Sequence, residues 1–257
     1  MRKPIIAGNW KMHKTVREAI ELVNGLKRNF FDEMEIDIVV CPPYTALSEV
    51  GEIIQDSQIR LGAQDMHWEE RGAFTGEISP LMLKDLGVEY VIIGHSERRQ
   101  FFGETNETVN KKVKSALKHK LIPIVCVGET LVERERGDTF SVVREHIENA
   151  LVGVVIEKPR DLVVAYEPVW AIGTGVNATP EQAEEVQGYI RELLMNLFGE
   201  EIAEGIRIQY GGSVRPDNIE ELINEKNIDG ALVGGASLDL NSFTEIIRRV
   251  ETAIRKH

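Results

Sequence analysis

The sequence contains few of the residue types that define specialised classes of protein. Its 257 residues include only two cysteines, Cys41 and Cys126, and both lie in apolar runs. We therefore expect buried thiols in a reducing compartment, the cytoplasm, and no disulfide framework. No apolar stretch approaches the roughly 18 residues that a membrane span needs. The apolar part of the N-terminus is also too short for a signal peptide.

Positive charge is scarce as well. The chain has 30 Lys and Arg against 42 Asp and Glu, which gives a formal net charge of −12. Nucleic acids and anionic membranes bind to basic surfaces, so this charge argues against both as partners. An anionic substrate would have to be attracted by local charges and backbone dipoles, against the overall field. The six histidines show no paired spacing, so no metal site is expected.

The chain alternates between two kinds of segment. Eight runs rich in Val and Ile lack strict polar alternation, as parallel strands covered on both faces do. These predicted strands are Ile5–Asn9, Ile36–Cys41, Ile59–Gln64, Tyr90–Gly94, Ile122–Val127, Leu162–Glu167, Ile206–Tyr210 and Ala231–Val233. An amphipathic segment follows each: Val16–Phe30, Ala46–Ile54, Pro80–Leu86, Glu107–Lys118, Phe140–Leu151, Pro180–Phe198, Asn218–Ile223 and Phe243–Arg255.

This alternation predicts an α/β fold with one domain, residues 1–257. Eight units give about 32 residues each, enough for a strand and a crossover helix. Since neither a strand-only block nor a Pro/Gly/Ser linker interrupts them, we expect one closed (β/α)8 barrel, with a parallel eight-stranded barrel and outer helices. A doubly wound open sheet is the alternative, but eight similar repeats favour closure.

Chemically capable residues follow most of the predicted strands. In a (β/α)8 barrel the active site lies at the carboxyl ends of the strands. The residues at that rim are Asn9, Lys11, His95, Ser96, Glu97, Gly128, Glu129, Glu167, Tyr210, Gly211, Gly212, Ser213, Gly234 and Gly235. Eight unrelated turns would rarely supply Lys, His and Glu together with two Gly-Gly pairs, so we place the candidate site here.

The segment around Glu167 carries the clearest chemical signal. An apolar run ends on this carboxylate, and Pro168 prevents the chain from continuing as a paired central strand. The following Gly173-Thr174-Gly175 suits a loop that closes over a ligand. A general base in a water-excluded pocket needs this arrangement. A surface glutamate before an ordinary strand-to-helix turn is the other interpretation of the segment alone.

The glycines of the rim indicate phosphate binding. Convergent backbone N–H groups can meet the oxygens of a dianion, and glycine lets the backbone approach closely. The candidates are Gly173, Gly212, Ser213, Gly234 and Gly235. Gly-Gly pairs can also simply form turns, but the ends of strands seven and eight often bind phosphate in barrel enzymes.

Several motifs, in order and along nearly the whole chain, closely resemble the triosephosphate isomerase family. They are Gly8-Asn9-Trp10-Lys11-Met12, Gly76-Glu77, Gly94-His95-Ser96-Glu97-Arg98-Arg99, Cys126-Val127-Gly128-Glu129, Tyr166–Gly175, Tyr210-Gly211-Gly212-Ser213 and Gly234-Gly235-Ala236. The resemblance implies interconversion of dihydroxyacetone phosphate and D-glyceraldehyde 3-phosphate in glycolysis and gluconeogenesis, without metal or organic cofactor.

The resemblance also implies roles for individual residues. Glu167 would move the proton between two carbons through an enediolate, and His95, as a neutral imidazole, would polarise the carbonyl. Lys11 would stabilise negative charge, with Asn9 beside it. The helical turn predicted after His95 would depress the pKa of that residue, since a helix N-terminus disfavours added positive charge.

Further rim residues would support the site. Glu97 would orient Lys11 or pair with an arginine such as Arg98. Cys126 would pack beneath the site, and Glu129 would anchor the loop through Trp170; Ser96 and Tyr210 complete this group. One departure concerns the far hinge of the loop, Val176-Asn177-Ala178, where many relatives have Lys-Thr-Ala; it puts only the rate of closure in doubt.

The long aperiodic connection Gln64–Ser79 indicates a partner surface. Loops of this length in a compact barrel usually have a function, and this one contains Trp68 and Phe74. The resemblance implies a homodimer in which the loop brings Thr75 to the partner's site; pairing of dimers into tetramers stays open. Two competing hypotheses remain: another phosphate-binding barrel enzyme, or an inactive sensor or scaffold on this fold.

Overall fold

The chain forms a closed barrel of eight parallel strands in the computed structural model, which describes residues 2–31, 35–172 and 178–256. The strands pair in chain order, and β1 closes the barrel by pairing with β8. They are β1 Ile5–Asn9, β2 Asp37–Cys41, β3 Ile59–Ala63, β4 Tyr90–Ile93, β5 Ile122–Val127, β6 Val163–Tyr166, β7 Arg207–Tyr210 and β8 Gly230–Val233. The predicted closed barrel is confirmed, and the open-sheet alternative is wrong.

Helices surround the barrel. In the described ranges they are α1 Val16–Asn29, α2 Leu47–Ile54, α3 Pro80–Asp85, α4 Ser96–Phe102, α5 Asn106–Lys118, α6 Leu131–Glu135, α7 Thr139–Leu151, α8 Pro180–Phe198, α9 Glu200–Gly205, α10 Ile219–Ile223 and α11 Leu240–Ile254. Short 3-10 turns cover Tyr44–Ala46, Pro159–Asp161, Val169–Ala171 and Gly235–Leu238. Among these described helices, none combines the length and the apolar character needed to cross a membrane.

The predicted helices are all present, with ends that shift by a few residues. Pro180–Phe198 matches in full: Thr179 caps it, and Gln182 completes the capping box. Two helices, α6 and α9, were not predicted, and α4 was predicted only as a helical turn. These three helices have five to seven residues each. Segments of two turns or less contain too few residues to show a 3.6-residue period.

The core has two layers because the strands are buried on both faces. Side chains such as Ile5 and Ala7 point into the barrel, where they pack with Ile92, Ile124 and Ala165. Alternate residues of the same strands pack outward against the helices. Both faces of each strand therefore need apolar side chains, which explains the continuous apolar runs in the sequence.

A buried cluster of charges joins α5 to the start of the connection after β3. Lys112 on α5 lies between the carboxylates of Asp65, at 2.7 Å, and Glu104. Arg98 on α4 also pairs with Asp65, at 2.8 Å. Lys112 takes a core position of its helix, with Val109, Val113 and Ala116 also buried on that face. A lysine within an apolar helical stripe is a signal that the sequence analysis passed over.

Replacing Lys112 by methionine should destabilise the protein by about 3–5 kcal/mol, because two buried carboxylates lose their central cation. Lys118→Met is the matched control, since Lys118 pairs with Glu70 at the surface and such pairs contribute about 0–1 kcal/mol. Urea unfolding at fixed protein concentration measures both. Equal midpoints for the two variants would contradict the role assigned to the buried cluster.

Candidate active site

A cleft of about 410 Å³ lies at the carboxyl ends of the strands. It brings together predicted site residues that are far apart in the sequence. Its walls include Asn9, Lys11, His95, Ile172, Gly211, Gly212, Ser213, Gly234 and Gly235. These residues follow β1, β4, β6, β7 and β8, so the closed barrel makes one site out of five separate turns.

Lys11 is held by groups on both sides. Its backbone has a left-handed φ of 52°, and its N–H donates to the Asn9 side-chain oxygen at 3.1 Å. The Lys11 amine lies 2.6 Å from an oxygen of Glu97. The predicted contacts of Lys11 with Asn9 and Glu97 are therefore present. The alternative pairing of Glu97 with Arg98 is wrong, because Arg98 pairs with Asp65.

Glu167 directly follows β6 and is almost completely buried. One carboxylate oxygen accepts the Ser96 N–H at 3.0 Å, and the other lies 2.9 Å from Nε2 of His95. Burial raises the pKa of Glu167, but the attraction and hydrogen bond of His95, the Ser96 N–H and Lys11 together lower it below its ordinary value. The carboxylate is therefore ionised and able to accept a proton.

His95 caps the N-terminus of α4 and connects this helix to Glu167. Its Nδ1 accepts the N–H of Glu97 at 3.2 Å, so the helix predicted after His95 is present. Burial lowers the pKa of His95, but the attraction and hydrogen bond of Glu167, helped by Glu97, outweigh burial and raise the pKa above its ordinary value. The expected depressed pKa is wrong for this arrangement, because the prediction considered the helix at Nδ1 and not the carboxylate at Nε2.

The hydrogen bond at Nδ1 also fixes the tautomer. A ring nitrogen that accepts an N–H carries no proton, so neutral His95 holds its proton on Nε2. This nitrogen faces Glu167, and His95 also lines the cleft. His95 can therefore donate a hydrogen bond to a substrate oxygen next to the base.

The glycine turns after β7 and β8 form part of the cleft wall. Gly212, Ser213, Gly234 and Gly235 all line the cleft. A Cβ on Gly234 would lie 3.8 Å from the Lys11 amine, so this turn is close to the cation. Such a wall combines backbone N–H groups with a positive charge, as phosphate binding requires. Three predicted residues of the loop lie outside the described residues: Gly173, a predicted phosphate contact, and Val176 and Asn177 of the hinge.

Glu129 is the centre of a buried contact at the start of the loop after β6. It accepts hydrogen bonds from the Tyr166 hydroxyl at 3.2 Å and from Nε1 of Trp170 at 2.9 Å. Arg134 pairs with Glu129 at 3.1 Å and lies over the Trp170 ring, 4.3 Å from its centroid. The predicted contact between Glu129 and Trp170 is present. Tyr166 and Arg134 were missed, because nothing in their spacing relates them to Glu129.

Cys126 and Tyr210 support the site from below. Cys126 lies inside the barrel, and burial raises the pKa of its thiol well above the ordinary value, with the charge of Glu167 acting in the same direction. The thiol is therefore protonated and is no nucleophile. Burial also raises the pKa of Tyr210 to about 12. A side chain on Gly212 would overlap the Tyr210 hydroxyl, so this turn packs directly on the ring.

The connection Gln64–Ser79 begins beside Lys11 and extends into solvent. The side-chain amide of Gln64 donates to the Lys11 carbonyl at 2.8 Å. Trp68 is half-buried under Lys111 of α5, whereas Phe74 is 44% exposed and Thr75 is exposed. Two more apolar side chains, on the segments that follow β1 and β4, are exposed: Met12 is 94% exposed and Phe102 is 69% exposed. Neither was predicted, since a lone apolar residue gives no indication of its exposure.

The residues that the structure describes contain no group of three or more His, Cys, Asp or Glu side chains arranged to hold a metal ion. The side chains that line the cleft include Asn9, Lys11, His95, Ser213 and Arg215, and the glycine turns add backbone groups. Together with the Glu167 carboxylate beside His95, this arrangement can support proton transfer next to a polarised oxygen and can hold an anion near Lys11.

Comparison with known proteins agrees with this site. The triosephosphate isomerase family model matches residues 4–250. The triosephosphate isomerase of Carboxydothermus hydrogenoformans is 59% identical over 96% of this chain and 99% of that protein. Those of Alkaliphilus metalliredigens and Thermoanaerobacter sp. (strain X514) are 56% and 58% identical, each over 96% of this chain and 99% of the relative. The chain belongs to the triosephosphate isomerase family.

Proposed function

We propose that the chain interconverts dihydroxyacetone phosphate and D-glyceraldehyde 3-phosphate with Glu167 as the base, His95 as the acid and Lys11 as the electrostatic element. The isomerase activity, and with it a place in glycolysis and gluconeogenesis, follows from the family. The observation that supports these roles best is the contact of a buried, ionised carboxylate with Nε2 of His95 at 2.9 Å. It places a proton acceptor and a proton donor beside one substrate.

The reaction moves one proton between neighbouring carbons of the substrate. Glu167 removes the proton from the carbon next to the carbonyl, and the electrons move onto the carbonyl oxygen to give an enediolate. The Nε2–H of His95 donates to this oxygen and moves protons between the two substrate oxygens. Glu167 then returns its proton to the adjacent carbon, so the products balance without a cofactor.

The negative charge of the substrate is stabilised by groups that are in place before the substrate binds. Lys11 is fixed by Asn9 and Glu97, so its amine needs no rearrangement when negative charge develops on the substrate. The turns containing Gly212, Ser213, Gly234 and Gly235 bind the phosphate. Gly173 is proposed as a further phosphate contact from the loop.

The loop after β6 acts as a lid in this proposal. Pro168 and the turn Val169–Ala171 connect Glu167 to the loop, and Glu129 holds Trp170. Closure requires the Trp170 side chain to leave its contact with Glu129 and move to another position. A closed lid excludes water, which strengthens the electrostatic interactions in the cleft and protects the enediolate.

The active unit in this proposal is a homodimer in the cytoplasm. Loop Gln64–Ser79 carries exposed Phe74 and Thr75, and Met12 and Phe102 are exposed on the segments that follow β1 and β4. We place these side chains on one surface that a second copy would cover. Thr75 would reach the partner's site and brace Asn9 and Lys11 there. Monomers would therefore have a less ordered Lys11.

Glu167→Asp should fold normally and lose on the order of 10²-fold in turnover, because it withdraws the carboxylate by about 1 Å. A coupled assay with glyceraldehyde 3-phosphate measures the rate. Exposed Glu185 on α8 provides the control, since Glu185→Asp should keep the full rate. Unchanged turnover in the Glu167→Asp variant would mean that another group takes the proton.

The His95 ring should titrate at lower pH in Glu167→Gln than in the unchanged protein. The carboxylate raises the pKa of His95, so removing its charge leaves burial to lower that pKa. NMR titration of ¹⁵N-labelled histidine in both proteins, without ligand, gives the two midpoints, and His95→Gln identifies the signal. The same midpoint in both proteins would contradict the assigned contact.

Thr75→Asp should weaken dimerisation and reduce turnover in parallel, because it places a charge in the apolar surface around the loop. The matched control is Asn149→Asp, which adds a charge at an exposed position of α7. Sedimentation and activity are measured on the same samples over a range of concentrations. A fully active monomer would refute the role of the loop.

A further inference from the structure

The guanidinium of Arg99 connects the ends of two barrel strands behind the catalytic pair. Arg99 lies on α4, and its Nε donates to the carbonyl of Gly94 at 2.8 Å. Its Nη2 donates to the carbonyl of Cys126 at 3.4 Å. Gly94 directly precedes His95, whereas Cys126 belongs to β5. One planar group with fixed donor directions therefore joins the end of β4 to β5.

The backbone before His95 is suited to this contact. Gly94 has a φ of 76°, in the left-handed region. A side chain at this position would come within 3.1 Å of Nη2 of Arg99 and within 2.9 Å of Val109. Glycine thus provides both the turn and the space that the guanidinium occupies. The turn that presents His95 and the position of Arg99 depend on each other.

A second set of contacts runs from β5 to Glu167. The Glu167 N–H donates to the Val127 carbonyl at 2.8 Å. Gly128 lies so close to the Glu167 carbonyl that a Cβ there would be 1.8 Å from it. The Gly128 N–H in turn donates to Nδ1 of His146 on α7, at 3.3 Å. The end of β5, which Arg99 and His146 hold in place, therefore determines the position of Glu167.

Arg99 is an unusual residue for a purely structural connection. Its hydrogen-bond partners among the described residues are all uncharged: the carbonyls of Gly94 and Cys126, and the Asn106 side-chain oxygen at 2.7 Å. A half-buried cation whose partners are all uncharged costs stability. Burial lowers the pKa of Arg99, and the charges of Glu104 and Glu167 oppose that shift. The cation thus lies within the electrostatic range of the proposed base.

We propose that Arg99 is a positioning residue for proton transfer: by binding the carbonyls of Gly94 and Cys126, it fixes the separation of His95 and Glu167. This inference rests on the proposed roles of these two residues. Arg99 is not among the residues that line the cleft with Lys11 and the glycine turns, where we place phosphate binding; it borders the neighbouring cavity that Glu167 also lines. Loss of the Arg99 side chain should therefore slow the chemical step and leave substrate binding almost unchanged.

Arg99→Ala should lower kcat by about 10- to 100-fold, the cost of a displacement of up to about 1 Å, with KM changed by less than about threefold. Arg99 borders a neighbouring cavity of about 630 Å³, through which a small solute can reach the vacated position. Guanidinium chloride at non-denaturing concentration should then restore part of kcat, when compared with sodium chloride of equal ionic strength. Arg99→Lys should give an intermediate kcat, because an ammonium lacks the planar fork.

Asn106→Ala is the matched control, since it removes one Arg99 partner and leaves both carbonyl contacts. It should keep kcat within about twofold and show no response to guanidinium. Circular dichroism and the unfolding midpoint establish that each variant is folded. Should Arg99→Ala fail to fold, Arg99→Lys decides the question, and a full kcat in that variant would refute the proposal.

Two results would overturn the inference directly. One is a folded Arg99→Ala variant with kcat within about twofold of the unchanged protein. The other is a loss of kcat with a parallel rise in KM and no rescue by guanidinium, which indicates a general structural defect. Failure of the proposed function looks different, because Glu167→Asp would then keep its turnover. If Glu167→Asp loses turnover and Arg99→Ala does not, only the role of Arg99 is wrong.

Discussion

The site depends on keeping an ionised carboxylate inside a protein next to an imidazole. Burial alone would protonate Glu167, since a charged group is costly to remove from water. The Ser96 N–H, Nε2 of His95 and the more distant charge of Lys11 offset this cost and keep the carboxylate ionised. Ser96 and His95 follow β4, Lys11 follows β1, and Glu167 follows β6. The barrel must therefore hold three strand ends in a fixed arrangement for Glu167 to stay ionised.

Local structure also has to overcome the protein's own charge. A chain with a net charge of −12 repels a phosphate ester at long range. Inside the cleft the balance is different, because Lys11, Arg215 and the turns of Gly212, Gly234 and Gly235 line its wall. Interactions at contact distance in a partly buried cleft are screened far less than surface charges, so these local groups can outweigh a distant excess of acidic residues.

Buried polar groups outside the cleft hold the supporting elements in place. Glu129 joins Tyr166, Trp170 and Arg134 at the start of the loop after β6. Lys112 joins Asp65 to Glu104 below the proposed dimer loop. Each of these groups is costly when unpaired, so each cluster forms only when its elements are correctly assembled. The arrangement of Lys11, His95 and Glu167 thus depends on several contacts outside the cleft.

The sequence by itself determined the architecture, because each strand needs apolar residues on both faces and each helix needs one apolar stripe. Those local patterns placed all eight strands within a few residues, and they placed Lys11, His95 and Glu167 at the same rim. The tertiary structure decided the pairings between distant segments. The partner of Glu97, the raised pKa of His95 and the contacts of Arg99 all depend on distances across the barrel. Composition and spacing contain no such distances, because they are fixed only when parallel strands close in register and bring remote turns together.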